Sequence, residues 1–177
     1  MQLFKTSKFS HIRFVDTNII GTEDCWYQIL LYENCQRFVY IDRPFYHYLR
    51  INESSLTTKY NSNLFARWQK MYDYMEEYIV KHNKGEEYAK ALKNRIALSV
   101  LGAGINQTHS DDNLIEGSKH IKEMLQSERY KEALSQLDVS VMPLTWRFFF
   151  FLVRYKQTFL LFTMLKIIEY LRTHKTI

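Results

Sequence analysis

From Asn61 onward one pattern dominates the chain. Leu64, Trp68, Met71, Tyr72, Met75 and Ile79 recur at spacings of three and four until His82-Asn83-Lys84-Gly85 interrupts them. Side chains at that spacing share one face of an α-helix, so the segment is stable only as an amphipathic helix that buries its stripe against other elements. The same periodicity predicts further helices near 86–107, 112–126, 128–137 and 144–173. With 5 Gly and 2 Pro among 177 residues there are few breaks, and 46% hydrophobic residues suffice for one ordinary core. Aromatic residues make up 16%, which excludes a disordered polymer. Gly102-Ala103-Gly104 lacks the spacing of a phosphate loop and reads as a close helix contact. Asp111-Asp112 reads as a helix cap.

The first third is different. A short helix is expected near Leu3 to Phe9, and Val15 to Gly21 is irregular. Thr22 has the chemistry of a helix N-cap, Glu23 and Asp24 complement the positive end of the helix dipole, and Trp26, Ile29 and Leu30 follow as an apolar series. These features predict a helix over 22–36. Cys25 and Cys35 on that helix would stand about 15 Å apart, too far for a disulfide. Phe38 to Ile41 and Phe45 to Arg50 are β-rich and flank the turn Asp42-Arg43-Pro44, which predicts a small strand pair. The alternation of the second strand puts Tyr46, Tyr48 and Arg50 on one face and Phe45, His47 and Leu49 on the other. His11, His47, His82, His109, His120 and His174 show no metal-ligand spacing, so a metal site built by this chain alone is not expected. The fold class expected is mainly α with a small β-strand pair.

Read in order, Leu3-Phe4-Lys5, Arg13-Phe14, Gly21-Thr22-Glu23-Asp24, Tyr46-x-Tyr48-x-Arg50 and Ser54-Ser55 form a series. It resembles the C-terminal half of the catalytic domain of family 2 inverting glycosyltransferases, enzymes of the α/β GT-A fold that build bacterial polysaccharides from nucleotide sugars. The resemblance covers residues 1–60 by motif and the later helices only in general character. It implies an acceptor-side part of a GT-A domain over 1–60, a helical extension over 61–140, and a basic aromatic region over 141–177.

The resemblance makes Asp24 the general base that takes the proton of the acceptor hydroxyl, with Glu23 supporting it. That role has a physical basis of its own, because a sugar hydroxyl attacks readily only when a positioned carboxylate accepts its proton. The same pair also fits the acidic first turn favoured by any helix. Arg50, Tyr46 and Tyr48 would stabilise the leaving diphosphate, or else form an exposed sheet face. Ser54 and Ser55 would shape a turn or touch the acceptor. His47 is a packing residue first and a metal ligand second.

Polymerising members carry Gln-x-x-Arg-Trp, whereas here Leu64 occupies the Gln position before Arg67-Trp68, so the resemblance implies a non-processive enzyme. It also implies a Mg²⁺ or Mn²⁺ ion and a nucleotide-sugar donor, both bound by a half carrying Asp-x-Asp that this sequence does not contain. The expectation is therefore a partial glycosyltransferase, inactive without that half, whose partners in full-length form are a nucleotide sugar and a saccharide or lipid-linked acceptor.

Charge adds a second reading. Residues 1–140 balance 18 bases with 18 acids, whereas 141–177 holds Arg147, Arg154, Lys156, Lys166, Arg172 and Lys175 against Glu169 alone. The whole net charge of +5 therefore lies in a segment that also carries Trp146, Phe148 to Phe151, Phe159 and Phe162. Bases interleaved with aromatics suit an anionic membrane surface, and an unbroken Phe run suits a phosphate groove poorly, so nucleic acid is not expected. A C-terminal helix pair packed on the body of the protein explains the same apolar stripe. No apolar run reaches the roughly 18 residues of a spanning helix, and the N-terminus lacks a signal-like stretch. The location expected is cytoplasmic, with peripheral attachment to the cytosolic membrane face. The competing function is a non-enzymatic helical protein that docks on a membrane or a partner.

Overall fold

The computed structural model describes residues 4–44 and 59–174. Its helices are α1 (Thr6–Phe9), α2 (Thr17–Ile20), α3 (Glu23–Glu33), α4 (Leu64–Lys81), α5 (Glu86–Thr108), α6 (Leu114–Gln126), α7 (Glu128–Gln136), α8 (Leu144–Arg154) and α9 (Thr158–His174). The protein is mainly α, and the described residues contain no strand.

Helix α5 is the axis of the bundle. It packs against α4, α6, α7 and α9, so it needs apolar or small residues on more than one side, and Leu92, Ile96, Ala97, Val100 and Gly104 supply them. The glycine stretch is the close helix contact its sequence suggests. A Cβ on Gly102 would stand 2.9 Å from the Trp68 ring of α4, and one on Gly104 would stand 2.5 Å from Cδ1 of Leu165 on α9. Gly117 of α6 abuts the Phe162 ring in the same way. Helix α9 thus seats two large side chains over two glycines, and both Phe162 and Leu165 are fully buried.

Polar clasps fix the remaining elements. Arg129 of α7 donates to Asp73 at 2.6 Å, to Glu76 at 2.9 Å and to the Gln69 side chain at 2.9 Å, tying α7 to α4. Beneath it, Ser99 and Tyr130 share a hydrogen bond of 2.7 Å, and burial pushes the Tyr130 and Tyr72 phenols above their ordinary range. Glu33, the last residue of α3, pairs with Lys84 and accepts from Tyr78 at 3.1 Å and Tyr88 at 3.3 Å. Trp26 meets the Tyr78 ring edge-on at 5.5 Å. These contacts hold α3 to the α4–α5 corner. Phe9, Ile12 and Leu31 form a second, smaller cluster under Tyr27 and Cys35.

Several expectations are corrected. Phe38 to Ile41 form no strand, and all four side chains are more than half exposed. Among the described residues they have neither a neighbouring ladder nor a buried face on which β propensity could act. The second expected strand, 45–50, lies outside the described residues. Helix α3 ends at Glu33, so Cys35 lies beyond it, and both cysteines are free thiols. The cap of α6 is Asn113 rather than Asp111-Asp112. Its side chain accepts from Ile115 N at 2.9 Å and Glu116 N at 3.0 Å, and Glu116 returns the bond to close a capping box. Asp112 instead accepts from Gln107 at 2.5 Å. The expected helix over 144–173 is two helices, because Lys156 adopts the left-handed conformation (φ +52°) and turns the chain between α8 and α9.

Three bases of the last two helices are anchored within the fold, one of them by an acid. Arg154 caps the end of α7 through the Leu137 carbonyl, and Lys166 donates to the Thr108 carbonyl at 3.1 Å. The buried Glu169 accepts from Arg172 at 2.7 Å and pairs with His109 at 2.9 Å. Burial alone would push the Glu169 carboxyl up, and the bonds from Arg172 and His109 reverse that, leaving it below the ordinary range. A carboxylate depressed in the folded state adds stability above its unfolded pKa of about 4.3 and loses it as pH falls through the folded value. Glu169→Gln is therefore expected to lower stability at neutral pH by about 1.5–3 kcal/mol, as for a hydrogen-bonded charge. The variant should also lose less than the parent on acidification through that window, as urea titrations on both sides of it would show.

Candidate functional site

The Gly-Thr-Glu-Asp segment is positioned by its neighbours on both sides. Asp16 caps α2 by accepting from Asn18 N at 2.7 Å, and Ile20 is buried in the main core. Gly21 then reverses the chain at φ +67°, and a Cβ there would meet the Arg67 stem of α4 at 3.1 Å. Both the dihedral and the space favour glycine. Gly21→Ala is expected to destabilise the protein by about 1–2 kcal/mol through its left-handed backbone alone. Thermal unfolding would register the loss.

Thr22 precedes α3 but does not cap it with its side chain. Its hydroxyl instead donates to the Met71 thioether of α4 at 2.6 Å, which anchors the start of α3 from below. Asp24 takes over part of the capping role, its Oδ1 accepting from Cys25 N at 2.8 Å. The Asp24 side chain is exposed, and Oδ2 has no partner among the described residues. Glu23 beside it is half-buried. The result is a solvent-facing carboxylate with one oxygen held and one available to accept a proton, at the positive end of an eleven-residue helix.

Burial pushes the adjacent Cys25 thiol up, the Arg95 guanidinium opposes the shift and Asp24 adds to it. A raised pKa lowers the fraction of Cys25 present as thiolate. Arg67 and Arg95 are neighbours of this site that the sequence reading did not assign to it. Arg67 is half-buried with its stem against Gly21. No spacing rule connects position 24 with position 67 or 95, since α4 and α5 reach the site only through the bundle.

Of the other residues expected at the site, Tyr46, His47, Tyr48, Arg50, Ser54 and Ser55 lie outside the described residues. Trp68 packs against the main core, as its helical spacing suggests. A separate groove of about 330 Å³ and mixed lining runs between the start of α4, α5 and α6, with Asn106, Gln107, His120 and Glu123 beside Phe65 and Ile121. Asn106 is spent there on the Asn61 backbone, accepting from its N at 2.9 Å and donating to its O at 3.0 Å. None of residues 21–24 lines that groove. Among the described residues no group of three or more His, Cys, Asp or Glu is placed to hold a metal ion. The described side chains therefore do not fit the divalent ion that the resemblance implies, and no step is derived through it.

A protein of Bacillus subtilis (strain 168) described as "Putative glycosyltransferase EpsH" is 29% identical to this chain over 99 residues. Over that stretch the chain is similar to a protein described as a "putative glycosyltransferase". The alignment takes in 55% of this chain but 28% of that protein, so the chain matches little more than a quarter of its relative's length. No family model matches the chain. No solved structure matches it. The likeness supports a glycosyltransferase relationship and leaves the GT-A fold and the family 2 assignment as inferences from the motifs.

Proposed function

We propose that this chain is the acceptor-side and C-terminal helical part of an inverting, non-processive glycosyltransferase of family 2 and the GT-A fold. The observation that carries the reading is the Asp24 carboxylate, exposed at the start of α3 with Oδ2 uncommitted, inside a Gly-Thr-Glu-Asp segment. The partial similarity to a protein described as a "putative glycosyltransferase" supports it.

In this reading Asp24 Oδ2 accepts the proton of an acceptor hydroxyl as that oxygen bonds to the anomeric carbon of a nucleotide sugar. The bond from that carbon to the diphosphate oxygen breaks on the opposite side, with inversion, and the electron pair leaves with the nucleoside diphosphate. Glu23 supports the carboxylate. Arg50, Tyr46 and Tyr48 neutralise the leaving diphosphate, and Ser54 and Ser55 border the acceptor. The donor is a nucleotide sugar bound by a nucleotide-binding half, with Mg²⁺ or Mn²⁺ as its ion, and the acceptor is a saccharide or lipid-linked saccharide.

The test is release of nucleoside diphosphate from a panel of nucleotide sugars by the protein as its gene encodes it, with and without saccharide acceptors. Acceptor-dependent release that Asp24→Asn abolishes supports the reading. Release that is untouched by that substitution removes Asp24 from the chemistry.

A further inference from the structure

Helix α8 divides its side chains cleanly. Phe149, Phe150, Leu152 and Val153 are buried in the main core. Leu144, Phe148, Phe151 and Tyr155, spaced by four, three and four, form an outward stripe in which every member is at least half exposed. The outward rings are ordered among themselves, Phe148 stacking on Phe151 at 6.5 Å and Phe151 lying 4.6 Å from Tyr155. Beyond the turn, Phe159 and Leu160 continue the exposed apolar surface at the start of α9, and Ile167 and Tyr170 extend it. An apolar, aromatic face of this kind on a water-facing surface marks an interaction site.

The charge on this face is selective. Arg154, Lys166 and Arg172 bond within the fold, and the single acid of the segment, Glu169, is buried between His109 and Arg172. That leaves Arg147 and Lys156, both exposed and without a partner among the described residues. Arg147 flanks the stripe between Leu144 and Phe148, and Lys156 stands at the turn next to Tyr155. The unneutralised side-chain charge of α8, α9 and their turn is thus positive among the described residues, and it borders Phe and Tyr rings. No helix among the described residues is long and apolar enough to cross a membrane. A short helix with outward rings, flanking cations and buried acid suits the plane of an anionic bilayer, where rings enter the headgroup boundary and cations meet lipid phosphates.

We propose that the α8–α9 corner docks this protein on an anionic lipid surface, through Phe148, Phe151, Tyr155 and Phe159 and the cations Arg147 and Lys156. The inference stands apart from the catalytic reading, since it uses no residue of the Asp24 segment. It rests on the two bases of the region whose side chains have no hydrogen-bond partner among the described residues.

The test is co-sedimentation of the 177-residue chain with vesicles of phosphatidylcholine alone and of phosphatidylcholine with about 30% phosphatidylglycerol, at about 0.1 M and 0.5 M salt. Binding is expected to the anionic vesicles only and to weaken at the higher salt. Arg147→Glu with Lys156→Glu should reduce it by about tenfold or more. Phe151→Ser with Tyr155→Ser should reduce it comparably, and because both rings are exposed the circular dichroism and unfolding midpoint should stay at parental values. Failure to bind anionic vesicles overturns the proposal, as does binding unchanged by both pairs of substitutions. A dimer in sedimentation velocity that the aromatic pair abolishes, with no vesicle binding, overturns it in favour of a second copy of the chain on this face.

Discussion

Asp24→Asn is expected to lower sugar transfer by about 10²–10⁴-fold, the range in which a positioned general base contributes. The amide keeps the carbonyl oxygen that can accept from Cys25 N, so the first turn of α3 stays capped, and only the capacity to take a proton is lost. The effect should fall on kcat with little change in KM for either substrate, because the lost interaction belongs to the transition state. Glu23→Gln separates the roles of the pair. If Glu23 supports Asp24, its loss is smaller than that of Asp24→Asn, and an equal loss would show that the two carboxylates act as one unit. Unfolding midpoints within a degree or two of the parent protein would confirm that chemistry, and not folding, was removed. If Asp24→Asn transfers sugar at the parental rate, the acidic pair is only the favourable first turn that any helix prefers.

The second large effect concerns stability. Phe162 is fully buried on α9 with its ring edge against Gly117 of α6. Phe162→Ala should cost about 3–5 kcal/mol, the sum of lost transfer energy and the cavity left where the ring was. The glycine makes a sharper test than the loss alone. In the parent protein Gly117→Ala drives a methyl into the ring, and the overpacking should outweigh the gain of about 1 kcal/mol in helix propensity. In the Phe162→Ala background the same methyl enters vacated space and the propensity gain stands unopposed. Gly117→Ala is therefore expected to change sign, destabilising one background and stabilising the other, in urea unfolding of the four proteins of the cycle. Additive effects would mean that α6 and α9 do not meet at this point.

The helical body was legible because its signal is local and periodic. Leu64 through Ile79 carried α4, and the close-contact reading of Gly102 and Gly104 needed only the observation that a phosphate loop has different spacing. What failed was of two kinds. Phe38 to Ile41 have strand propensity, but a strand exists only with a partner, and they have none among the described residues. The break at Lys156 was hidden because a single left-handed lysine leaves no compositional trace, whereas a glycine or proline would have. The site followed the same division. The motif and its place before an apolar series offer Asp24 and Glu23 only as candidates. The diversion of the Thr22 hydroxyl to Met71, and the approach of Arg67 to Gly21, depend on side chains more than forty positions away in sequence. Net charge was legible as a total but not in which side chains stay free, because the bonds that anchor Arg154, Lys166 and Arg172 belong to the packed bundle.

The two contacts that α4 makes with the Gly21–Thr22 turn limit how evolution or an engineer can shuffle this protein. The motif series over the first sixty residues looks like a cassette that could be grafted onto another helical body. Its carboxylate, however, is aimed by a turn that fits against the Arg67 stem and is tethered through the Met71 sulfur. A chimera joined between residues 60 and 64 would carry the motif intact and lose its aim. The exchangeable unit therefore extends at least through Met71, and crossovers that respect it should place the seam in the turn after Lys81.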